Sequence, residues 1–107
     1  MPLHVASLSI QVVAALRPLV VRVRRHDRSL ADQLVRAASS VALNIAEAEY
    51  SDPGNKRARF FTAAGSANET LAALRVAVAW GYFAEGDADA AEGLLRRVLT
   101  MLWRLTR

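Results

Sequence analysis

With 107 residues, just over half of them apolar, the chain has enough material for one core, and we predict a single domain over residues 1–107. The absence of cysteine excludes disulfide bonds, thiolate metal sites and cysteine nucleophiles, and it is consistent with the cytoplasmic location that we predict. The formal net charge is +4, with thirteen of the fourteen basic residues arginine. Charge is unevenly distributed, because both ends of the sequence are basic and the middle is acidic.

The first predicted helix runs from about Val5 to Arg25. Its apolar residues recur at helical spacing, at Leu8, Val12, Leu16, Leu19 and Val23. Pro18 lacks a backbone donor and predicts a kink or a local irregularity. The run from Leu3 to Val23 is apolar, but Arg17 and Pro18 interrupt it before it reaches the length of a membrane span. We therefore predict a buried helix without membrane association.

The second predicted helix is capped by Asp27 or Ser29 and ends near Glu49. Its apolar stripe comprises Leu30, Leu34, Ala37 or Ala38, Val41 and Ile45. After a break at Tyr50-Ser51, Asp52 as N-cap and Pro53 as first helical residue predict the start of the third helix. The third helix carries Phe60, Ala64, Ala67, Leu71, Leu74 and Val78, and it is expected to stop near Trp80 at Gly81.

A turn at Glu85-Gly86-Asp87, with Asp87 as cap, precedes the fourth predicted helix. That helix carries Leu94 or Leu95, Val98, Met101 or Leu102, and Leu105. Linkers of about five or six residues make consecutive helices antiparallel neighbours. We therefore predict an all-α fold, an antiparallel up-down-up-down four-helix bundle. The large apolar fraction favours assembly into a homo-oligomer.

Asn44 on the second helix and Glu69 on the third lie near stripes of small residues. A polar group in such a helix seam requires a partner, so we predict a structural contact between Asn44 and Glu69 that sets the helix register. Glu47 either joins this contact or stays solvated, and Arg36 and Arg75 are candidate partners for the carboxylates. The alternative is a ligand-binding or catalytic pair.

Basic residues gather at both ends of the predicted bundle. One cluster, between the first two helices, contains Arg22, Arg24, Arg25 and Arg28. The other opens the third helix with Lys56, Arg57 and Arg59, and the fourth helix adds Arg96, Arg97, Arg104 and Arg107. Arginine makes bidentate phosphate contacts, so the candidate RNA or DNA contacts are the first cluster as a whole and, in the second, Lys56, Arg57 and Arg59. Charged helix ends that are simply solvated, with arginines that offset the helix dipole, are the alternative.

The remaining residue types give no support for catalysis. Neither His4 nor His26 has a glutamate three residues before it, as helical di-metal sites require. Gly81 and Gly86 match no phosphate-binding loop. We predict no enzyme activity, no cofactor and no metal. The aromatic residues are expected to pack, with Trp103 in the core or an interface and the bundle end plugged by Trp80, Tyr82 and Phe83.

The chain resembles a known family at Arg36-Ala37-Ala38 through Asn44-Ile45-Ala46-Glu47. This is the four-helix-bundle family of intervening-sequence proteins, encoded within insertions of bacterial large-subunit ribosomal RNA genes, with the related accessory variability determinant proteins of diversity-generating retroelements. The resemblance covers about residues 30–85 and continues through Lys56-Arg57-Ala58-Arg59-Phe60-Phe61, Gly65-Ser66-Ala67-Asn68-Glu69 and Trp80-Gly81-Tyr82-Phe83. Ala48 departs from it, since the family usually has glycine there.

The resemblance implies a cytoplasmic, non-enzymatic bundle that assembles into a ring, typically a homopentamer. In the retroelement members the ring is strongly basic, binds nucleic acid and associates with a reverse transcriptase. We therefore predict a non-catalytic oligomeric bundle that binds RNA or a nucleoprotein partner through its basic clusters. One alternative is a purely structural or protein-interaction ring without nucleic acid. Another is an enzyme or metal carrier that uses Glu47 and Glu69.

Overall fold

A computed structural model describes residues 2–107, apart from the side chains of Pro2 and Leu3. Within this range the chain forms four α-helices and no strand, which confirms the predicted all-helical class. A short 3-10 helix (Glu85–Ala88) precedes the last of them. The helices are α1 (Pro2–Arg24), α2 (Arg28–Ala48), α3 (Pro53–Trp80) and α4 (Asp89–Leu105).

Capping residues account for the ends of α2 and α3. The Asp27 carboxylate accepts a hydrogen bond from the Leu30 amide at 3.0 Å and so caps α2. Asp52 caps α3 in the same way, with the Asn55 amide as donor at 3.0 Å. Gly81 ends α3 in the left-handed conformation, with φ at 80°. These three predicted boundaries are confirmed, since each depends only on residues next to the helix end.

The start of α4 differs from the prediction that Asp87 is its cap. The 3-10 helix shifts the first residue of α4 to Asp89, and the residue before it, Ala88, makes no side-chain cap. The Asp87 carboxylate instead accepts hydrogen bonds from the Ala84 amide at 3.2 Å and from Arg22 Nη1 at 2.8 Å. Asp87 therefore holds the α3–α4 connection against α1.

Helix α1 is not interrupted at Pro18. The ring of Pro18 removes the hydrogen bond to the carbonyl of Ala14, four residues earlier. Both residues are exposed, so water can reach the carbonyl that loses its helical donor. In the single chain the proline therefore lies on the solvent-facing side of α1.

The core is built from one buried stripe on each helix. Helix α1 contacts α2 and α4, and α3 contacts the same two helices, with the most extensive contact between α2 and α3. The domain measures 42 × 22 × 19 Å. The stripes contain Leu8, Val12, Leu16, Leu19 and Val23 from α1, Leu34, Val41 and Ile45 from α2, Phe60, Ala64, Ala67 and Leu74 from α3, and Leu95, Val98 and Leu102 from α4.

Helix α1 is apolar beyond its core-facing stripe. From His4 to Arg24 its mean hydropathy is 1.5, so by length and composition alone it could cross a membrane, a test that core helices also pass. On its outer side, Ile10 and Val21 are 61% and 50% exposed. Together with Val13 and with Val35 of α2, they line an open apolar groove of about 440 Å³ between the two helices. We refer to this feature as the α1–α2 groove.

Candidate nucleic-acid interface

A part-buried polar contact between α2 and α3 is made by two serines. Ser66 Oγ donates to Ser40 Oγ at 2.8 Å, and Asn44 Nδ2 donates to the same oxygen at 3.0 Å and to the Ser40 carbonyl at 2.9 Å. Glu69 is exposed and makes no hydrogen bond or salt bridge within residues 2–107. It lies two residues from buried Ala67, about 200° around the helix, and its side chain is turned to solvent. Asn44 thus pairs with Ser40 and not with Glu69.

The other predicted carboxylate partners are arranged differently as well. Glu47 forms a salt bridge with Arg59 of α3, with 2.6 Å between Oε2 and Nη1, and both side chains are exposed. Arg75 pairs with Glu85 at 3.0 Å and lies 3.7 Å from Glu92. Arg36 is exposed and makes no salt bridge in the described part of the chain. Arg59, a candidate phosphate contact, is therefore already neutralised by a carboxylate.

The basic cluster between α1 and α2 is half neutralised. Arg22 pairs with Asp87 at 2.8 Å, and Arg24 pairs with Asp32 at 2.7 Å. The hydrogen bond from Arg24 is the main cause that lowers the pKa of Asp32. The remaining members, Arg25 and Arg28, are exposed and form no salt bridge within the described residues. This cluster accordingly offers phosphate less free charge than the sequence suggested.

The aromatic turn after α3 closes this end of the domain only in part. Phe83 is buried, and Tyr82 is half-buried and stacks on His26 at 5.1 Å between ring centroids. Desolvation and a hydrogen bond to Asp27 raise the pKa of Tyr82. Trp80 is 70% exposed, so it does not plug the bundle as predicted. It follows Ala79 on the solvent side of the last turn of α3.

Arg57, at the start of α3, is held by a contact to the end of α4. Its Nε donates to the carbonyl oxygen of Thr106 at 2.7 Å, and its guanidinium carbon lies 5.5 Å from the centroid of Phe61. Because the Thr106 carbonyl is neutral, the charge of Arg57 remains available. Lys56 beside it is half-buried and forms no salt bridge among the described residues.

Two aromatic side chains that the sequence did not mark as functional lie beside Arg57. Phe61 and Trp103 are 46% and 43% exposed, and their ring centroids are 6.1 Å apart at an angle of 67°. Trp103 is therefore not a core residue. We call Arg57, Phe61 and Trp103 the aromatic–arginine cluster. The signal that could have identified it is the position of Trp103 on the arginine-bearing face of α4.

The C-terminal half of α4 presents arginine without acidic neighbours on the same helix. No acidic residue follows Glu92 in the sequence, and Arg96, Arg97 and Arg104 are all exposed. Within residues 2–107 none of them forms a salt bridge. We call the set to which they belong the α3–α4 basic surface, defined by Lys56, Arg57, Arg96, Arg97, Arg104 and Arg107.

The described residues contain no group of three or more histidine and acidic side chains placed to hold a metal ion. The two residues considered for an enzyme or metal carrier, Glu47 and Glu69, are both exposed, and Glu47 is occupied by Arg59. Among the described residues, the candidate binding groups that remain are cationic and aromatic side chains.

Comparison with known proteins agrees with this architecture. A crystal structure of a protein with unknown function, from the S23 ribosomal protein family of Bacteroides thetaiotaomicron, is similar with a TM-score of 0.88. The similarity covers 96% of this chain and 98% of that chain at 18% sequence identity, which supports a shared fold. No curated protein matches the sequence. The family model of the 23S rRNA-intervening sequence protein matches residues 2–104, so the chain belongs to that family, as the segment from Arg36 to Glu47 indicated.

Proposed function

We propose that this protein is a non-catalytic, oligomeric four-helix bundle that binds RNA or a nucleoprotein partner through its basic surface. The observation that carries the proposal is the α3–α4 basic surface, whose members have no carboxylate partner among the described residues. The family's description, which refers to an intervening sequence of 23S rRNA, supports RNA as the first candidate ligand. Of the two predicted clusters, this surface has the more available charge.

Unpaired arginines favour a polyanion for a physical reason. Each phosphate contact releases condensed counterions, so the affinity rises steeply with the number of contacts at low salt. A carboxylate paired with an exposed arginine offsets its charge and competes with phosphate, which costs affinity, as at Arg22 and Arg24. The α3–α4 basic surface avoids this cost. Self-association would bring several copies of it to one RNA and multiply the contacts.

The oligomer is proposed from the α1–α2 groove. Ile10, Val13, Val21 and Val35 are between 39% and 61% exposed and lie together, although apolar side chains of this size are more stable when covered. We propose that an antiparallel up-down-up-down bundle buries the groove against a second copy. By resemblance to the family, we propose a closed ring, typically a pentamer.

A structural or protein-interaction ring without nucleic acid is the second candidate. The α1–α2 groove favours it, because burial of the apolar side chains in that groove would drive assembly without the α3–α4 basic surface. The two candidates differ in one measurement, the binding of RNA by the assembled protein at low salt.

The cellular setting is proposed from the sequence. The lack of cysteine is consistent with the cytoplasm, where we propose that the protein acts. By resemblance to the retroelement accessory proteins, a reverse transcriptase is a candidate nucleoprotein partner. Co-purification of tagged protein with a reverse transcriptase encoded beside its gene would test that partner.

The proposed function is tested by fluorescence anisotropy with labelled ribosomal RNA fragments. We expect the affinity to fall linearly with salt on a logarithmic scale, since phosphate contacts dominate. The oligomeric state is measured in parallel by light scattering. An oligomer that binds no RNA at low salt would rule out RNA binding and leave the protein-interaction ring.

A further inference from the structure

We propose that the aromatic–arginine cluster binds single-stranded RNA by stacking on unpaired bases, while arginines of α4 contact the adjoining phosphates. This proposal rests on the proposed RNA-binding function and specifies the form of RNA and the residues that recognise it. Its basis is the exposed pair Phe61 and Trp103 beside a cationic helix face.

The first observation is the exposure of two neighbouring aromatic rings. Phe61 and Trp103 leave 46% and 43% of their surface to solvent, although each contacts the other edge to face. Aromatic rings exposed beside basic residues are the common element of proteins that bind single strands, because every base has a face that can stack. In a duplex the bases are already stacked inside the helix and are not available.

The second observation is that the cluster is held in place. Arg57 Nε is bound to the carbonyl of Thr106, which places the guanidinium over Phe61. Thr106 is itself buried, and its hydroxyl donates to the carbonyl of Trp103 at 3.0 Å. The start of α3 and the end of α4 are thereby joined at the cluster. Arg57 therefore has little side-chain freedom left to lose when RNA binds, which favours affinity.

The third observation is charge beside the rings. Arg96 and Arg104 are both exposed on α4, and their separation of eight positions corresponds to about 12 Å along the helix, a distance that a short stretch of RNA backbone can bridge. The acidic residues nearest to Phe61 along α3 are Asp52, which caps the helix, and Glu69, eight residues further on. An RNA strand along α4 would therefore meet cationic side chains.

The opposite end of the domain provides an internal comparison. Trp80 is more exposed than Trp103, at 70%, and in the basic cluster between α1 and α2 two of the four arginines, Arg22 and Arg24, are paired with carboxylates. Among the described residues, Trp80 takes part in no aromatic pair or cation–π contact of the kind that joins the aromatic–arginine cluster, so it is not expected to bind RNA. Trp80 is accordingly the matched control for Trp103.

The experiment uses the full-length protein with Trp80→Phe, so that Trp103 is the only tryptophan. Titration with an unstructured pyrimidine-rich RNA should quench the Trp103 emission, and the same strand annealed to its complement should not. In the otherwise native protein, Trp103→Leu should weaken binding of the single strand by at least about fivefold, the loss expected for one stacked base. Trp80→Leu should leave the affinity unchanged. Trp103→Phe keeps a ring and should retain most of the binding, even where Trp103→Leu fails to fold.

Three outcomes would overturn the proposal. Binding of both RNA forms with no change in Trp103 emission would remove the stacking site and leave the proposed RNA-binding function standing. Absence of binding to either form of RNA at low salt would overturn both the stacking site and the proposed RNA-binding function. Trp103 emission that changes on dilution of the protein without RNA would show that a second copy covers the cluster.

Discussion

The hydroxyl of Tyr82 donates a hydrogen bond to Asp27 Oδ2 at 3.1 Å, while Asp27 Oδ1 accepts from the Leu30 amide. One carboxylate therefore caps α2 and holds the turn that follows α3. We expect Asp27→Ala to lower the free energy of unfolding by about 1–2 kcal/mol, because both bonds are lost. Tyr82→Phe removes only one of them and should have the smaller effect. Urea denaturation measures both, and equal losses would contradict this arrangement.

The capping carboxylate of Asp52 leads us to expect that the folded protein loses stability in acid. The Asn55 amide, followed by the Asn55 side chain, lowers the pKa of Asp52 below its ordinary value of 3.8. The stability that Asp52 contributes is therefore fully present above 3.8 and is lost as the pH falls through the lowered pKa. Asp52→Asn keeps a capping side chain that does not titrate. Denaturation from neutral to acidic pH should show a smaller loss for this variant, and parallel curves would refute the prediction.

We expect substitution by alanine to have opposite effects on stability at two glycines, one inside α3 and one at its end. Gly65 lies inside the helix with nothing within 4 Å of an added Cβ, so Gly65→Ala should stabilise the protein by about 0.5–1 kcal/mol. Gly81 has φ at 80°, where a side chain is strained, so Gly81→Ala should destabilise it. Thermal unfolding measures both. A loss of stability in Gly65→Ala would indicate that another surface lies against that position.

The α1–α2 groove predicts the location of the oligomer contact. Val35 lies in the groove and is 43% exposed, and Val76 lies on α3 outside it and is 44% exposed. Val35→Glu should shift the protein towards monomer in sedimentation velocity, because a charge would be buried without a partner. Val76→Glu is the matched control and should leave the assembly intact. Equal behaviour of the two variants would place the contact elsewhere.

The two basic clusters can be separated by variants that change the charge equally. The pair Arg104→Gln with Arg107→Gln and the pair Arg22→Gln with Arg24→Gln each lower the formal net charge from +4 to +2. The first pair should reduce the salt dependence of RNA binding by about 0.7 per lost phosphate contact. The second pair should change it little, since Asp87 and Asp32 already neutralise those arginines. Anisotropy titrations over a salt series decide between the clusters.

The main difference between the prediction and the structure concerns which residues contact each other between neighbouring helices. Asn44 was expected to meet Glu69, but the helix rotation that buries Ala67 turns Glu69 to solvent and places Ser66 against Ser40. Trp103 was expected in the core or an interface; its place beside Phe61 at the surface excludes the core, and the interface stays a prediction. The sequence shows how far around its own helix a residue lies from the apolar stripe. The residue opposite it depends on how two helices are rotated about their axes.

The sequence by itself determined the start of α2, both ends of α3 and the buried face of each helix, because these features depend on residues close together in the chain. The caps Asp27 and Asp52, the stop at Gly81 and the buried stripes follow from local hydrogen bonding and from the 3.6-residue period of the helix. Only the tertiary structure decided which charges are available, because pairs such as Arg22–Asp87 join residues 65 positions apart. The same holds for Arg57 and Thr106, which meet only after the start of α3 packs against the end of α4.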